Sequence, residues 1–177
     1  MNSFSDQFLD VPVNAQQVQP FIDGLFNEYF AIYGDFFAER GHADEYAEKS
    51  KSDKEEPAEW YAPPNGLFIT LQRNNEIIAM GAYKRYDEQT AELKRIWTRS
   101  DLRKQGLAAK IVKELERRAK QAGYSHVYLT TGFKQIPAVK LYLSLGYEPQ
   151  FELNPEFNFE HYAESALKGT LPFRKAL

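Results

Sequence analysis

The sequence predicts a mixed α/β fold: a mostly antiparallel central sheet containing one parallel strand pair, with flanking helices. Three observations predict it. The β-rich runs 67–71, 76–86 and 90–98 follow one another across short polar turns, a strongly amphipathic helical pattern covers 107–122, and a brief apolar strand, 127–131, comes directly after it. The first three runs make an antiparallel meander. A strand, a crossover helix and a second strand make a right-handed βαβ unit with a parallel pair.

The elements follow in order. Residues 8–13 read as a short strand, and 18–37 carry Phe21, Leu25, Tyr29 and Ile32 at helical spacing, with Gly34 or Gly41 as the interruption. The stretch 41–64 is polar and charged and reads as an irregular, mobile surface segment, ended by Ala62-Pro63-Pro64-Asn65-Gly66. Asn74 and Asn75 suit a hairpin turn between the first two meander strands. In 107–122, Leu107, Ile111, Leu115 and Ala119 stack with Ala108 and Val112 on one face and charges occupy the other, with Gly123 as C-cap. Pro137 opens a further helix whose stripe is Ala138, Leu141, Tyr142 and Leu145, before Gly146. Residues 170–175 read as a final strand. Parity within 90–98 leaves two readings open. Leu93 and Ile96 are three apart, so either a β-bulge near Lys94-Arg95 turns both to the core, or Leu93 packs on the opposite face.

At 177 residues the length fits one domain, 1–177. With no cysteine, disulfides, thiolate metal sites and a Cys nucleophile are excluded, and a reducing, cytoplasmic compartment is expected. No leader pattern opens the chain and no run approaches the ~18 apolar residues that span a bilayer, so no membrane association is expected. A net charge of -3 and a pI of about 5.7 argue against nucleic acid as a partner. His42, His126 and His161 lie far apart without metal spacing, so no metal is expected. Charge is nevertheless segregated. Ten basic against three acidic residues in 94–120 give +7, and four basic against nine acidic residues in 35–60 give -5, a division that suits either two ligands of opposite charge or two solvated faces.

The turn Arg103-Lys104-Gln105-Gly106-Leu107-Ala108 lies between the last meander strand and the amphipathic helix. The first amides of a helix lack partners and its dipole adds about half a positive charge there, so an anion fits. Gly106 lets a phosphate approach the backbone and Ala108 is nearly as small. Arg103, Gly106 and Ala108 match the phosphate motif of the GNAT superfamily of acyl-CoA N-acyltransferases: Gln or Arg, two residues, Gly, one residue, Gly or Ala. Gln135, Ala138, Leu141-Tyr142 and Gly146-Tyr147 are similar to that superfamily's second pattern. The chain therefore resembles GNAT proteins over 66–149, departing where Gln105 replaces a common Gly and Gln135 a common Asn.

The resemblance implies acetyl-CoA as cosubstrate and direct acetyl transfer to a primary amine. It implies that pantetheine pairs with the backbone of Ile96, Trp97 and Thr98, and that amides of Lys104, Gln105, Gly106, Leu107 and Ala108, with Arg103, hold the pyrophosphate. Gln135 and Ala138 belong to the second coenzyme motif. Glu92, eleven residues before Arg103, stands where histone-acetylating members place their catalytic base; the plain alternative is a surface glutamate paired with Lys94 or Arg95. Tyr142 corresponds to the tyrosine that faces the coenzyme sulfur as general acid, against a core aromatic as the alternative. The acidic 35–60 stretch with Trp60, Tyr61, Phe157, Phe159 and Tyr162 suits a cationic amine. Dimer contacts through 150–177 are a further implication of the resemblance. A non-catalytic acyl-CoA-binding or regulatory module, a protein-interaction domain docking through 41–64, and acetylation of a protein or peptide amine all remain open at this point.

Overall fold

The computed structural model describes residues 5–164 and 169–177. The first four residues of the stretch read for a leader, and 165–168 of the C-terminal stretch, lie outside the described residues. Seven strands, β1 (Asp6–Asp10), β2 (Leu67–Arg73), β3 (Glu76–Arg85), β4 (Thr90–Thr98), β5 (His126–Gly132), β6 (Glu148–Pro149) and β7 (Thr170–Ala176), form one sheet in the order β1-β2-β3-β4-β5-β7-β6. Among the described residues only β4 and β5 pair in parallel. Among the described residues four α-helices complete it: α1 (Gln19–Glu39), α2 (Ala43–Lys54), α3 (Leu107–Gln121) and α4 (Ile136–Ser144). No helix of the described residues is long and apolar enough to cross a membrane.

The amphipathic pattern of α3 is realised as predicted. Ile111, Val112, Leu115 and Ala119 are wholly buried against the sheet, and full burial of each Ile or Leu side chain contributes about 1.5–3 kcal/mol. Gly81 of β3 makes this seat possible, since a Cβ there would lie 2.5 Å from Ile111 Cγ2 and 2.9 Å from Leu115 Cδ1. Asn74 and Asn75 both take positive φ, 52° and 65°, as a two-residue primed hairpin turn requires.

The parity question in β4 resolves as a bulge. Ala82 pairs with Lys94 and Met80 with Trp97, so Gly81 alone faces Arg95 and Ile96. Arg95 takes the left-handed conformation, φ 57°, which absorbs the extra residue. Leu93 and Ile96 thereby join the same core.

The readings of β1 and of 41–64 change, and α1 decides between its two glycines. β1 begins and ends earlier than 8–13, because its register runs from Asp6↔Arg73 to Asp10↔Ile69. Helix α1 passes through Gly34, where the Phe30 ring comes nearest, and stops at Arg40, just before Gly41 at φ 77°. Most of 41–64 is ordered. It forms α2, with Asp44 and Glu45 in the first turn and Lys51 and Lys54 in the last, as the helix dipole favours, although none of its residues is buried. α2 lacks an apolar stripe, and its one aromatic, Tyr46, stacks on Phe37 with ring centroids 5.0 Å apart. The expected final strand is present as β7, which lies between β5 and β6.

Candidate active site

β4 and β5 pair only from Thr90↔His126 to Glu92↔Tyr128. Beyond Glu92 the two strands part, while the other edge of β4 stays bonded to β3 at Trp97 and Thr98. The backbone from Leu93 to Thr98 thus presents an unpaired edge to a cleft of about 620 Å³. β4 and β5 form its walls, the turn before α3 and the start of α4 close its ends, and Leu25, Glu28, Tyr29 and Ile32 of α1 cover it.

Nearly all the predicted coenzyme residues meet in this cleft: Ile96, Trp97, Thr98, Arg103, Lys104, Gly106, Leu107, Ala108, Gln135, Ala138 and Tyr142 line it, and Gln105 does not. Gly106 is the N-cap of α3 at φ 76°, with nothing within 4 Å of where a Cβ would stand. The first-turn amides beyond it have no intrahelical acceptor and open on free space. That is a cradle for a bulky anion. Arg103 is ion-paired to Glu28 of α1, half exposed, a contact worth about 0–1 kcal/mol that a phosphate can displace. Gln135 is differently engaged: its Oε1 accepts from Gly132 N–H at 2.9 Å and Thr131 Oγ1 at 3.1 Å, tying the end of β5 to α4.

Tyr142 is buried, its ring edge-on to Tyr147 and tilted against Phe173. Burial pushes its phenol well above the ordinary tyrosine range, and Tyr29 adds to the rise. Tyr147, by contrast, gives its hydroxyl to Glu116 Oε2 at 2.7 Å, a structural bond.

Glu92 does not line the coenzyme cleft. It lines an adjoining cavity of about 340 Å³ walled by Phe26, Tyr29, Tyr33, Phe37 and Tyr46 of α1 and α2. Its side chain is 16% exposed and its nearest cation, Lys84 Nζ, is 3.9 Å away, so it is not a solvated surface glutamate. Burial raises its pKa; Lys94 and Lys84 oppose that rise, and Glu56 and Asp53 add to it.

Sequence reasoning missed Glu56. It accepts from Lys94 Nζ at 3.0 Å and Tyr61 OH at 2.8 Å and is paired with Lys84. Burial raises the Glu56 pKa, but these three partners outweigh it and hold the carboxyl below its usual range. The partners lie on β3, β4 and a 3-10 turn (Ala58–Tyr61), so no local spacing signalled the cluster. Arg95 completes it, donating to Asp53 O at 2.9 Å with its guanidinium 4.8 Å from the Tyr61 ring centre. Of the aromatics expected around the acceptor, Tyr61 gives its hydroxyl to Glu56, Phe159 is buried in the core, and Trp60 lines a separate cavity with Glu48, Asp53, Glu55 and Glu56. Among the described residues no group of three His, Asp or Glu could hold a metal ion.

The model of the GNAT acetyltransferase family matches residues 26–147. The chain belongs to that family. An uncharacterized N-acetyltransferase of Schizosaccharomyces pombe is 30% identical over 95 residues, 52% of this chain and 58% of the relative, so the chain spans little more than half the length of the curated relative it matches. Among solved structures, the PaiA N-acetyltransferase of Thermoplasma acidophilum in complex with coenzyme A is similar over 98% of this chain and 99% of its own, at 14% identity and TM-score 0.67. A GNAT family acetyltransferase of Elizabethkingia anophelis with acetyl-CoA bound matches 64% of this chain and 77% of its own, at 22% identity and TM-score 0.51. At these identities the likeness bears on the GNAT fold alone.

Proposed function

We propose that this GNAT protein transfers the acetyl group of acetyl-CoA directly to a primary amine on a small acceptor, working as a single domain over 1–177 in the cytoplasm. One observation carries the reading: the parting of β4 and β5 after Glu92 makes one cleft of a free strand edge, an open helix N-terminus and a buried phenol. The pantetheine arm adds to the free edge of Ile96, Trp97 and Thr98 like an extra strand, and the amides from Lys104 to Ala108 hold the pyrophosphate. The relatives solved with coenzyme A or acetyl-CoA bound support that occupant.

Glu92 takes a proton from the acceptor nitrogen, directly or through one water, and its raised pKa makes it a stronger base than an exposed glutamate. The lone pair of the neutral amine forms the C–N bond to the thioester carbonyl as the C–S bond breaks, and the N–H proton that Glu92 takes is the one the nitrogen sheds as that bond forms. Tyr142 gives its proton to the departing sulfur and regains one, by way of solvent, from Glu92. Amine and acetyl-CoA thus become amide and coenzyme A with protons balanced. The aromatic walls and 340 Å³ of the second cavity favour a compact amine with an apolar body over a protein substrate.

Thiol release from acetyl-CoA, followed with 2-phenylethylamine, spermidine, glycinamide and a lysine peptide, tests the reading. The expected result is release with 2-phenylethylamine in preference to the peptide, falling at least about tenfold in Glu92→Gln and in Tyr142→Phe. Binding of acetyl-CoA without release by any amine would instead establish the non-catalytic module.

A further inference from the structure

Arg95 holds the β4 bulge in a left-handed conformation, φ 57°, which is uncommon in a residue with a side chain and persists only where its surroundings fix it. Its guanidinium is held from three elements. It donates to the carbonyls of Asp53 at 2.9 Å and Lys54 at 3.4 Å, at the C-terminus of α2. It also lies 4.8 Å from the ring centre of Tyr61, in the 3-10 turn, and 5.9 Å from that of Phe26, in α1. Arg95 Nε is buried without an acceptor. A buried N–H left unpaired is unfavourable, so the side chain is kept in this arrangement by its other contacts.

What those contacts hold is α2. The last carbonyls of a helix lack intrahelical donors and its dipole leaves them negative, so a guanidinium there caps the helix. None of the α2 residues is buried. Its other ties include the stack of Tyr46 on Phe37, the half-exposed pair of Lys54 with Asp23 at 2.7 Å, and Asp53 at 3.9 Å from Lys94. An element with so little buried surface opens locally at low free energy. Yet α2 supplies Tyr46, Lys49, Ser50 and Asp53 to the aromatic cavity. We propose that Arg95 is a positioning residue for the acceptor: from the β4 bulge it clamps the C-terminus of α2, and so keeps that wall of the aromatic cavity in place for the amine. The proposal rests on the acetyl transfer described above, with the amine in the aromatic cavity. Arg95 makes and breaks no covalent bond and moves no proton, so the balance of that reaction is unchanged.

The test is Arg95→Asn, which removes the guanidinium and leaves a residue that tolerates the left-handed turn. Two quantities are measured on the full chain: KM and kcat by thiol release, with the panel amine that the wild type turns over fastest, and the rate of trypsin cleavage after Lys49 and Lys51 within α2. When α2 is closed in only a fraction of the molecules, apparent affinity for the amine falls by that fraction and cleavage follows the open population. Loss of the charged hydrogen bonds is expected to raise KM about tenfold, with kcat within about threefold, and to speed cleavage at least about tenfold. The amine in solution is a cation, so losing a positive charge beside the cavity would by itself lower KM, and a rise reports lost positioning. A KM within about twofold of wild type overturns the proposal, as does a loss confined to kcat. A raised KM with unchanged cleavage also overturns it, because Arg95 would then act on the amine without α2. Arg95→Lys keeps the charge and loses the fork; it is expected to move both quantities the same way by a smaller factor, and it decides alone should Arg95→Asn not fold. A wild type that turns over no amine overturns the functional reading and this proposal together, whereas an active wild type matched by Arg95→Asn overturns this proposal only.

Discussion

Glu92, the proposed base, sits among charges of both signs, and their balance sets where it titrates. Burial and the carboxylates Glu56 and Asp53 raise its pKa, while Lys94 and Lys84 lower it. A base works when deprotonated, so with Glu92 as the proposed base the rate is expected to fall as pH drops through its pKa. Glu56→Gln removes one of the raising charges and releases Lys84, now paired with Glu56, toward Glu92. Both effects lower the Glu92 pKa. The acid limb of the pH dependence of kcat/KM is therefore expected to move to lower pH, and a limb that stays in place or rises would show that Glu92 does not carry it. Legibility at this scale was uneven. The resemblance pointed to Glu92 and Tyr142, but Leu25, Tyr29 and Ile32 were legible only as apolar residues at helical spacing, because periodicity marks an apolar face without saying whether protein or ligand covers it.

At the scale of elements, the site depends on β4 changing direction between Lys94 and Trp97. The bulge at Arg95 and Ile96 is opposed by Gly81 alone, and the same glycine admits Ile111 and Leu115 of α3 to the sheet. Gly81→Ala forces a methyl group into two wholly buried side chains, which costs about 1–3 kcal/mol by overpacking. Chemical denaturation should read that loss of stability, and an unchanged midpoint would mean that α3 is seated less closely. The βαβ unit was legible because α3 has a complete apolar stripe and a Gly at each end. Parity in β4 left two readings because Leu93 and Ile96 alone cannot distinguish a bulge from packing on both faces. Helix α2 was not legible: it has no buried face, and its place depends on bonds from Arg95 to the carbonyls of Asp53 and Lys54.

At the scale of the whole molecule, the two oppositely charged segments largely meet each other and their neighbours rather than two separate ligands. Lys94 joins Glu56 and Asp53, Arg103 joins Glu28, Arg118 pairs with Asp10 and Arg99 with Asp101 and Glu76. Side-chain charge therefore supplies less of the anion site than the +7 segment suggests, and the backbone supplies more. The affinity for acetyl-CoA should accordingly depend on Gly106, whose left-handed φ and open surroundings expose the α3 amides. Titration calorimetry of acetyl-CoA into wild type and Gly106→Ala tests this most directly. The expected result is saturable binding at one site per chain in the wild type, weakened about tenfold, or 1.4 kcal/mol, in a variant that remains folded. A wild type that takes up no acetyl-CoA, or a folded Gly106→Ala that binds it equally well, would contradict the account.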